Sequence, residues 1–489
     1  MLNYIGIDFG TTRSTIAICE NTNDVLYELK TSGKPILSIA SIEKATGSCY
    51  YGFDAQDKIS EQYDFIPSLK DLLCRDREFN KQYGSVNITK DSILKGFFDY
   101  LKRTTLGYEH SCDVVMAIPN DFPMERRSLL RSAAEKAGFR IKFFVNEPVA
   151  AFFANYSHLT GYDSAAILRN CENVAIFDWG GGTLDVTVMQ CSNGMVKELA
   201  KSRMDCAGNA IDERVAKCVH QWISEVKGMN KSFEDMTLKA QIDMKQFVEE
   251  VKIKLNDPRI FRQQEILSIT PYDDYGLVNQ VVTKEKFNES IEYIVDAAID
   301  ILKKTIADSK LGISGIDKIL LVGGSSKLHL LQEKMKAEFG DKLLISSGDS
   351  DWGVAKGAAL LSATPGEFEI NQDVSLRLSD DSSFPLINKG ELTKKYSKEY
   401  SNVNVFEFGK VDSSSNAVFV FSGSADIDKS DKKYLIVKTQ ALFDECLRLT
   451  VFIDENMIVH VKGECVGLPN STSEWKYANL SCCYQLPQG

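Results

Sequence analysis

Two different hydrophobic rhythms divide the chain. From residue 1 to about 363, short β-branched runs such as Ile5-Gly6-Ile7 and Ile319-Leu320-Leu321-Val322 alternate with stretches that are apolar every third or fourth position. One such stretch opens at Pro123 and Glu125, carries Leu130, Ala133, Ala134 and Ala137 on one stripe, and ends at Gly138. Another, Gln241 to Leu255, places Ile242, Val248, Val251 and Leu255 on a core stripe. Strands alternating with amphipathic helices predict an α/β fold with mixed or parallel sheets. From about residue 373 the period falls to two: Val374-Leu376-Leu378, Val418 to Phe421, Tyr434 to Val437 and Leu447-Leu449-Val451-Ile453. Asp454-Glu455-Asn456 and then Met457 to Val461 complete a hairpin pattern, so this part is predicted to be an all-β module. Between the two parts, Pro365-Gly366 breaks the preceding helix, and 364–373 reads as a linker.

The α/β part echoes itself. Ile5-Gly6-Ile7-Asp8-Phe9-Gly10-Thr11-Thr12 leads into Ser14 to Ile18. Ala175-Ile176-Phe177-Asp178-Trp179-Gly180-Gly181-Gly182-Thr183 leads into Asp185 to Val188. Both read as strand, aspartate, glycine-threonine turn, strand. Repetition of one unit predicts a duplicated domain with a cleft between its halves.

Such a turn has definite chemistry. The strand delivers a carboxylate to its end, and glycines let several N–H groups converge in the bend. Thr11, Thr12 and Thr183 add hydroxyl donors. Two opposed turns would clamp a phosphate chain, with Asp8 and Asp178 beside a hydrated Mg²⁺. Either turn alone also fits a plain tight β-turn; the pair favours the anion site. A third glycine turn, Gly323-Gly324-Ser325-Ser326-Lys327, follows a buried strand and precedes a helix expected over Leu328 to Met335. Small residues there let a flat ring approach the backbone, although a simple strand-to-helix turn has the same composition. Walker A and G-x-G-x-x-G patterns are absent, which excludes P-loop and dinucleotide-type sites.

The composition narrows the partners. The 489 residues carry a net charge of −11, which speaks against a nucleic-acid binder. No apolar run approaches a membrane span, and the N-terminus does not read as a signal peptide. The 12 cysteines show no C-x-x-C or zinc spacing and read as reduced thiols of a cytoplasmic protein, with the Cys482-Cys483 pair as a minor redox candidate.

Taken together, Asp8 to Thr12, Ile118-Pro119-Asn120, Asn146-Glu147-Pro148, Asp178 to Thr183, Val322 to Ser326 and Gly353 to Ala359 resemble the 70-kDa heat-shock (DnaK-type) chaperones of the actin-like ATPase superfamily. The resemblance implies a duplicated, ribonuclease H-like, two-lobed ATPase domain over 1–363. Lobe I would take about 1–170 and 346–363, lobe II about 171–345. After linker 364–373, residues 374–489 resemble a peptide-binding β domain. ATP or ADP and Mg²⁺ are the implied cofactors. Lys70 would stand beside the γ-phosphate, Glu147 would order water around Mg²⁺ with Asp8 and Asp178, and Thr183 would touch the γ-phosphate. Gly10, Thr11, Thr12, Arg13, Gly180, Gly181, Gly182, Gly323, Gly324, Ser325, Lys327 and Asp351 would complete the nucleotide contacts. Glu249, Lys252 and Asn256 would hold the ribose and the adenine edge, although Glu249 and Lys252 are also spaced for an i,i+3 ion pair. Pro119 and Arg127 would relay nucleotide state between domains. An extended polypeptide client is the implied partner, with a J-domain protein or a nucleotide-exchange factor beside it.

The chain departs from this pattern in three places. Lys327 replaces a stacking arginine and lacks its planar face. The linker segment Glu369 to Val374 is polar, with Ile370 and Val374 as its apolar anchors, so it should dock weakly as an added strand. After Val461 no helical period returns, so no helical lid is expected over any peptide groove. Two functions remain open at this level: an ATP-driven chaperone, or an ATP-dependent switch that docks one dedicated protein.

Overall fold

The structure is a computed structural model that describes residues 3–22, 25–29, 35–74, 79–107, 112–119, 122–159, 172–192, 195–257, 259–260, 262–345, 352–363, 366–423, 427, 433–478 and 480–485. Its architecture is the duplicated actin-like ATPase fold followed by a β-rich region. The sequence echo corresponds to two mixed sheets. In the first, Asn3–Phe9 pairs antiparallel with Arg13–Thr22 and parallel with Cys112–Ile118, which in turn pairs with Phe139–Asn146. In the second, Glu172–Trp179 pairs antiparallel with Leu184–Ser192 and parallel with Lys318–Val322. The match extends to register. Asp8 lies beside Ala117 and opposite Thr15, while Asp178 lies beside Val322 and opposite Asp185.

Apolar residues from both sheets meet around two crossed helices, Glu147–Leu159 and Gly353–Ala363. Small residues at the crossing let the backbones approach closely. A β-carbon at Gly357 would stand 1.7 Å from the Ala150 carbonyl oxygen. Helix Leu238–Leu255 differs from the sequence expectation in one position. Its buried stripe runs Ala240, Met244, Val248, Val251 and Leu255, and Ile242 is only half-buried. Steps of four, four, three and four follow the 3.6-residue turn, and Ile242 lies off that line.

Residues 374–477 form two four-stranded antiparallel sheets around a common core. One has the order Ser383–Ile387, Val374–Arg377, Asn416–Ser422, Tyr434–Lys438; the other runs Val405–Gly409, Cys446–Ile453, Val459–Cys465, Ser473–Tyr477. The second contains the expected hairpin, with Ile453 opposite Val459. No described helix is long and apolar enough to cross a membrane. The 11 described cysteines are free thiols, and burial pushes Cys482 up to about 12, which disfavours the thiolate needed for redox chemistry.

The tip of that hairpin touches the ATPase domain. Arg131 donates from Nε to the Asn456 side-chain oxygen at 2.8 Å, and Arg127 donates from Nη1 to the Asn456 carbonyl at 3.0 Å. Asp454 shapes the tip by accepting the N–H groups of Asn456 and Ile458, each at 2.9 Å. His460 braces Asp454 from below, with Nε2 at 3.2 Å from it, Nδ1 at 2.9 Å from Glu474, and its ring stacked on Phe452. Burial lowers the pKa of His460, but the two carboxylates outweigh it and raise the value above 6.5. The imidazolium's contribution to stability is therefore complete below pH 6.5 and is lost as pH rises through the raised folded value. Asp454 and Glu474 are held below their ordinary range despite burial, so their contribution is lost only as pH falls through those lower values. His460→Gln is expected to cost about 1–2 kcal/mol near pH ~6 and clearly less near pH ~9. Thermal unfolding at both pH values checks this; an equal loss at both would assign the ring a packing role only.

Candidate functional site

The two glycine-threonine turns face each other across a cleft of about 850 Å³. They are in contact: a β-carbon at Gly181 would fall 2.0 Å from Thr12 Oγ1, and one at Gly182 2.7 Å from Thr11 Cγ2. Only glycine permits that approach, so the threonines can close from one lobe over the turn of the other. The second turn is supported from behind. The Gly180 carbonyl accepts Ser325 Oγ at 2.7 Å and the Gly208 N–H at 3.1 Å, and the Gly181 carbonyl accepts the Asn209 N–H at 2.8 Å. Those carbonyls are thus committed within the protein and do not compete with an anion in the cleft. Gly323 has φ +83°, and a β-carbon there would meet the Trp179 carbonyl at 2.5 Å and Asp178 at 2.7 Å. The third turn therefore reaches the second aspartate only because it has no side chain.

Four carboxylates converge at the floor: Asp8, Glu147, Asp178 and Asp185. The parallel and antiparallel registers carry Asp8 and Asp178 to equivalent strand ends. Glu147 comes from the first turn of helix Glu147–Leu159. Asp185 accepts Thr183 Oγ1 at 2.8 Å. Burial pushes Asp8 up to about 7, helped by Glu147 and opposed by Lys70. Burial likewise holds Asp178 well above the carboxylate range, with Glu147 and Asp185 adding repulsion. Lys70 Nζ sits 2.8 Å from Glu147 Oε1 with its side chain only 12% exposed, so it is not a solvated helix lysine. Burial disfavours its charge, but Glu147 and Asp8 outweigh that and raise its pKa. Four half-buried carboxyl groups around one lysine raise one another's pKa, and a divalent cation among them would relieve that repulsion. Among the described residues no group of three or more His, Cys, Asp or Glu side chains is arranged to hold an ion directly.

At the other end of the cleft, Glu249 and Lys252 do not pair with each other. Arg13 reaches across from the first turn to Glu249 at 2.6 Å, joining the two lobes. Lys252 pairs with buried Asp212 at 2.7 Å. Asn256 caps its helix by donating to the Lys252 carbonyl at 2.8 Å and accepts the His329 N–H at 2.9 Å, fixing the start of helix His329–Phe339. Lys327 lines the same end, as does Ile253, an isoleucine left 51% exposed.

Every sequence-predicted catalytic, cation and nucleotide residue that the structure describes lines this one cleft. Asp351 lies outside the described residues. Pro119 and Arg127 lie away from it. Pro119 is buried at the end of the strand beside Asp8, and Arg127 is on the helix that meets the hairpin tip. Sequence reasoning did not select Asp185, Gly208, Asn209, Asp212 or Ile253, all in the cleft wall. Asp185 had a signal: aligning the two echoes puts it opposite Asp178, where Thr15 faces Asp8. Asp212 and Asn209 had none, because only the fold returns helix Gly208–Lys227 to the turn.

The comparison with known families agrees with this geometry. A family model described as Hsp70 protein matches residues 39–404, most of the chain. Members of that family are ATPases and ATP-dependent chaperones that bind polypeptide clients and co-chaperones. Opposed phosphate-type turns on a duplicated fold, a following β-rich region and this match lead to one conclusion: the chain belongs to the Hsp70 family.

Proposed function

We propose that this protein binds ATP with Mg²⁺ in the cleft, hydrolyses it slowly, and uses the nucleotide state to control how the β region holds an extended polypeptide. The observation that carries this reading is the pair of turns in contact over four half-buried carboxyl groups and Lys70. A cleft of about 850 Å³ is large enough for a nucleoside triphosphate. Asp8, Asp178 and Glu147 would hold the hydrated cation, which supplies charge neutralisation on the phosphate oxygens. Thr11, Thr12, Thr183 and the glycine N–H groups orient the phosphates. Lys70 stabilises charge on the transferred group and, with Glu147, positions the attacking water. Glu249, Lys252, Asn256 and Lys327 would surround the nucleoside, while Ile253 offers an apolar wall to a base.

A hydrogen-bonded route supports the roles of Pro119 and Arg127. The Pro119 carbonyl accepts the Phe122 N–H at 3.1 Å, and the Phe122 carbonyl accepts Arg127 Nε at 2.9 Å. Arg127 then reaches Asn456 in the β region. J-domain and exchange-factor proteins are the expected co-chaperones, in the cytoplasm.

One observation favours the alternative, a switch docking one dedicated partner. Phe384, Phe406, Phe408 and Phe419 pack edge-on at 5.4–5.7 Å across neighbouring strands of both sheets, so some of the apolar surface an extended client would use is already self-associated. Titrating labelled extended apolar peptides with MgATP and with MgADP separates the readings. Peptide binding weakened at least ~10-fold by ATP supports the chaperone. ATP binding without any peptide affinity supports the switch. Absence of nucleotide binding overturns both.

A further inference from the structure

The two ends of the cleft differ in how their polar groups are used. At the end away from the carboxylates, several side chains that can read the edge of a base are already bonded within the protein. Asn256 is the clearest case, because an amide carries a donor and an acceptor side by side. Its Nδ2 donates to the Lys252 carbonyl at 2.8 Å, and its Oδ1 accepts the His329 N–H at 2.9 Å. Both partners are backbone groups, so its orientation is fixed, and at 7% exposure it keeps little surface in the cleft. Gln332 donates from Nε2 to the Ser326 carbonyl at 3.1 Å. Arg259 holds Asp257 with two bonds, Nε to Oδ1 at 3.0 Å and Nη2 to Oδ2 at 2.9 Å.

An apolar surface stands beside these committed groups. Ile253 lies on helix Leu238–Leu255 between Glu249 and Asn256, lines the cleft, and is left 51% exposed. Half-exposed isoleucine gains stability only when a ligand covers it, and the gain follows the area covered rather than the pattern of donors and acceptors on the ligand. Lys327, from the third glycine turn, lines the same end. An ammonium is a compact point donor that accepts any carbonyl or ring nitrogen as a partner, so it separates one purine from another poorly. The phosphate end is the opposite case: its glycine turns, threonines and Lys70 meet groups that every nucleoside triphosphate shares.

Resting on the nucleotide-binding reading above, we propose that the cleft selects its ligand by the triphosphate and is nearly indifferent to the purine, taking GTP and ITP about as well as ATP, with Ile253 as the contact that holds the base. A site that hydrogen-bonds one substrate group rejects an analogue lacking it by several orders of magnitude, whereas an apolar wall separates ligands of similar size only weakly. Asn256 is built into the start of helix His329–Phe339 and cannot turn to a base without giving up that bond. Binding strength then follows the area of the ring laid on Ile253. Adenine, guanine and hypoxanthine cover it alike, and the smaller cytosine covers less. The protein is thereby a purine nucleoside triphosphatase of broad base range.

Competition on the full chain tests this. ATP, GTP, ITP, CTP and inorganic tripolyphosphate, each with Mg²⁺, are titrated against an ATP analogue labelled on its ribose. GTP and ITP are expected to bind within ~5-fold of ATP, and CTP about 10-fold more weakly. Ile253→Ser, a change at an exposed position, should weaken ATP and GTP alike by about 5–10-fold and leave tripolyphosphate unchanged. Ile253→Leu, which keeps the apolar area, should restore both. ATP bound more than ~100-fold more tightly than GTP overturns the proposal, because such a ratio requires a read edge. Unchanged ATP and GTP affinities in Ile253→Ser, or an equal loss for tripolyphosphate, overturn the role given to Ile253. If neither the labelled nucleotide nor tripolyphosphate binds, the nucleotide reading itself fails, an outcome distinct from selectivity for adenine.

Discussion

Lys70→Ala is expected to lower ATP turnover by about 10²–10³-fold while leaving the protein folded and able to bind MgATP. The expectation follows from charge. Lys70 is the cation that opposes the upward push on Asp8 and Asp178, and it stands 2.8 Å from Glu147. In a buried site a preorganised cation stabilises developing phosphoryl charge far better than water does. Its removal leaves Glu147 without the Lys70 ion pair, so local rearrangement contributes to the loss. Lys70→Arg separates the two effects. Arginine keeps the charge and should restore the unfolding temperature, but its planar fork cannot place a single N–H group where the compact ammonium sits. Single-turnover hydrolysis gives the chemical step directly. A turnover in Lys70→Ala within ~3-fold of the parent would remove Lys70 from the chemistry.

Gly357→Ala is expected to be the most destabilising single methyl that the fold can receive at this crossing, costing about 3 kcal/mol. The added carbon would lie 1.7 Å from the Ala150 carbonyl oxygen and 2.4 Å from its carbon, and both belong to backbone that cannot rotate aside. The helices must separate, and the core around Val354, Ala358 and Leu361 opens with them. The displacement reaches the site, because Ala150 is one turn from Glu147 on the same helix. A loss of nucleotide turnover should therefore accompany the lowered unfolding midpoint. Gly409→Ala provides the contrast: nothing lies within 4 Å of a β-carbon there, and its stability should change by no more than about 0.5 kcal/mol. Equal midpoints for the two variants would show that the crossing relaxes freely.

Much of this fold is written locally. The period of two in Leu447 to Ile453, followed by a three-residue polar turn, leaves an antiparallel hairpin as the arrangement that buries Leu447, Leu449 and Val451 together. Glycine and threonine after a strand-end aspartate mark both turns, because the chain can reverse there only with small residues. Helix Met124–Lys136 shows its stripe for the same reason, since Leu130, Ala133 and Ala134 must face one way. Such features depend on neighbours within one turn of helix or one step of strand.

The rest depended on partners that have no fixed spacing. Glu249 and Lys252 share a helix face and could pair, yet burial against Gly208–Lys227 gives Lys252 to Asp212 and the touching lobes give Glu249 to Arg13. The polar linker reads as a weak strand, and its own residues remain polar. Its dock is provided by Cys482–Gln485, more than a hundred residues later, whose Tyr484 supplies the buried apolar surface. By itself the sequence determined which segments are strands, helices and phosphate-type turns, because those follow from backbone conformation and local hydrophobic period. Only the tertiary structure decided which charges meet and which strand pairs with the linker, because those choices are made by burial and by backbone groups seeking partners across the whole chain.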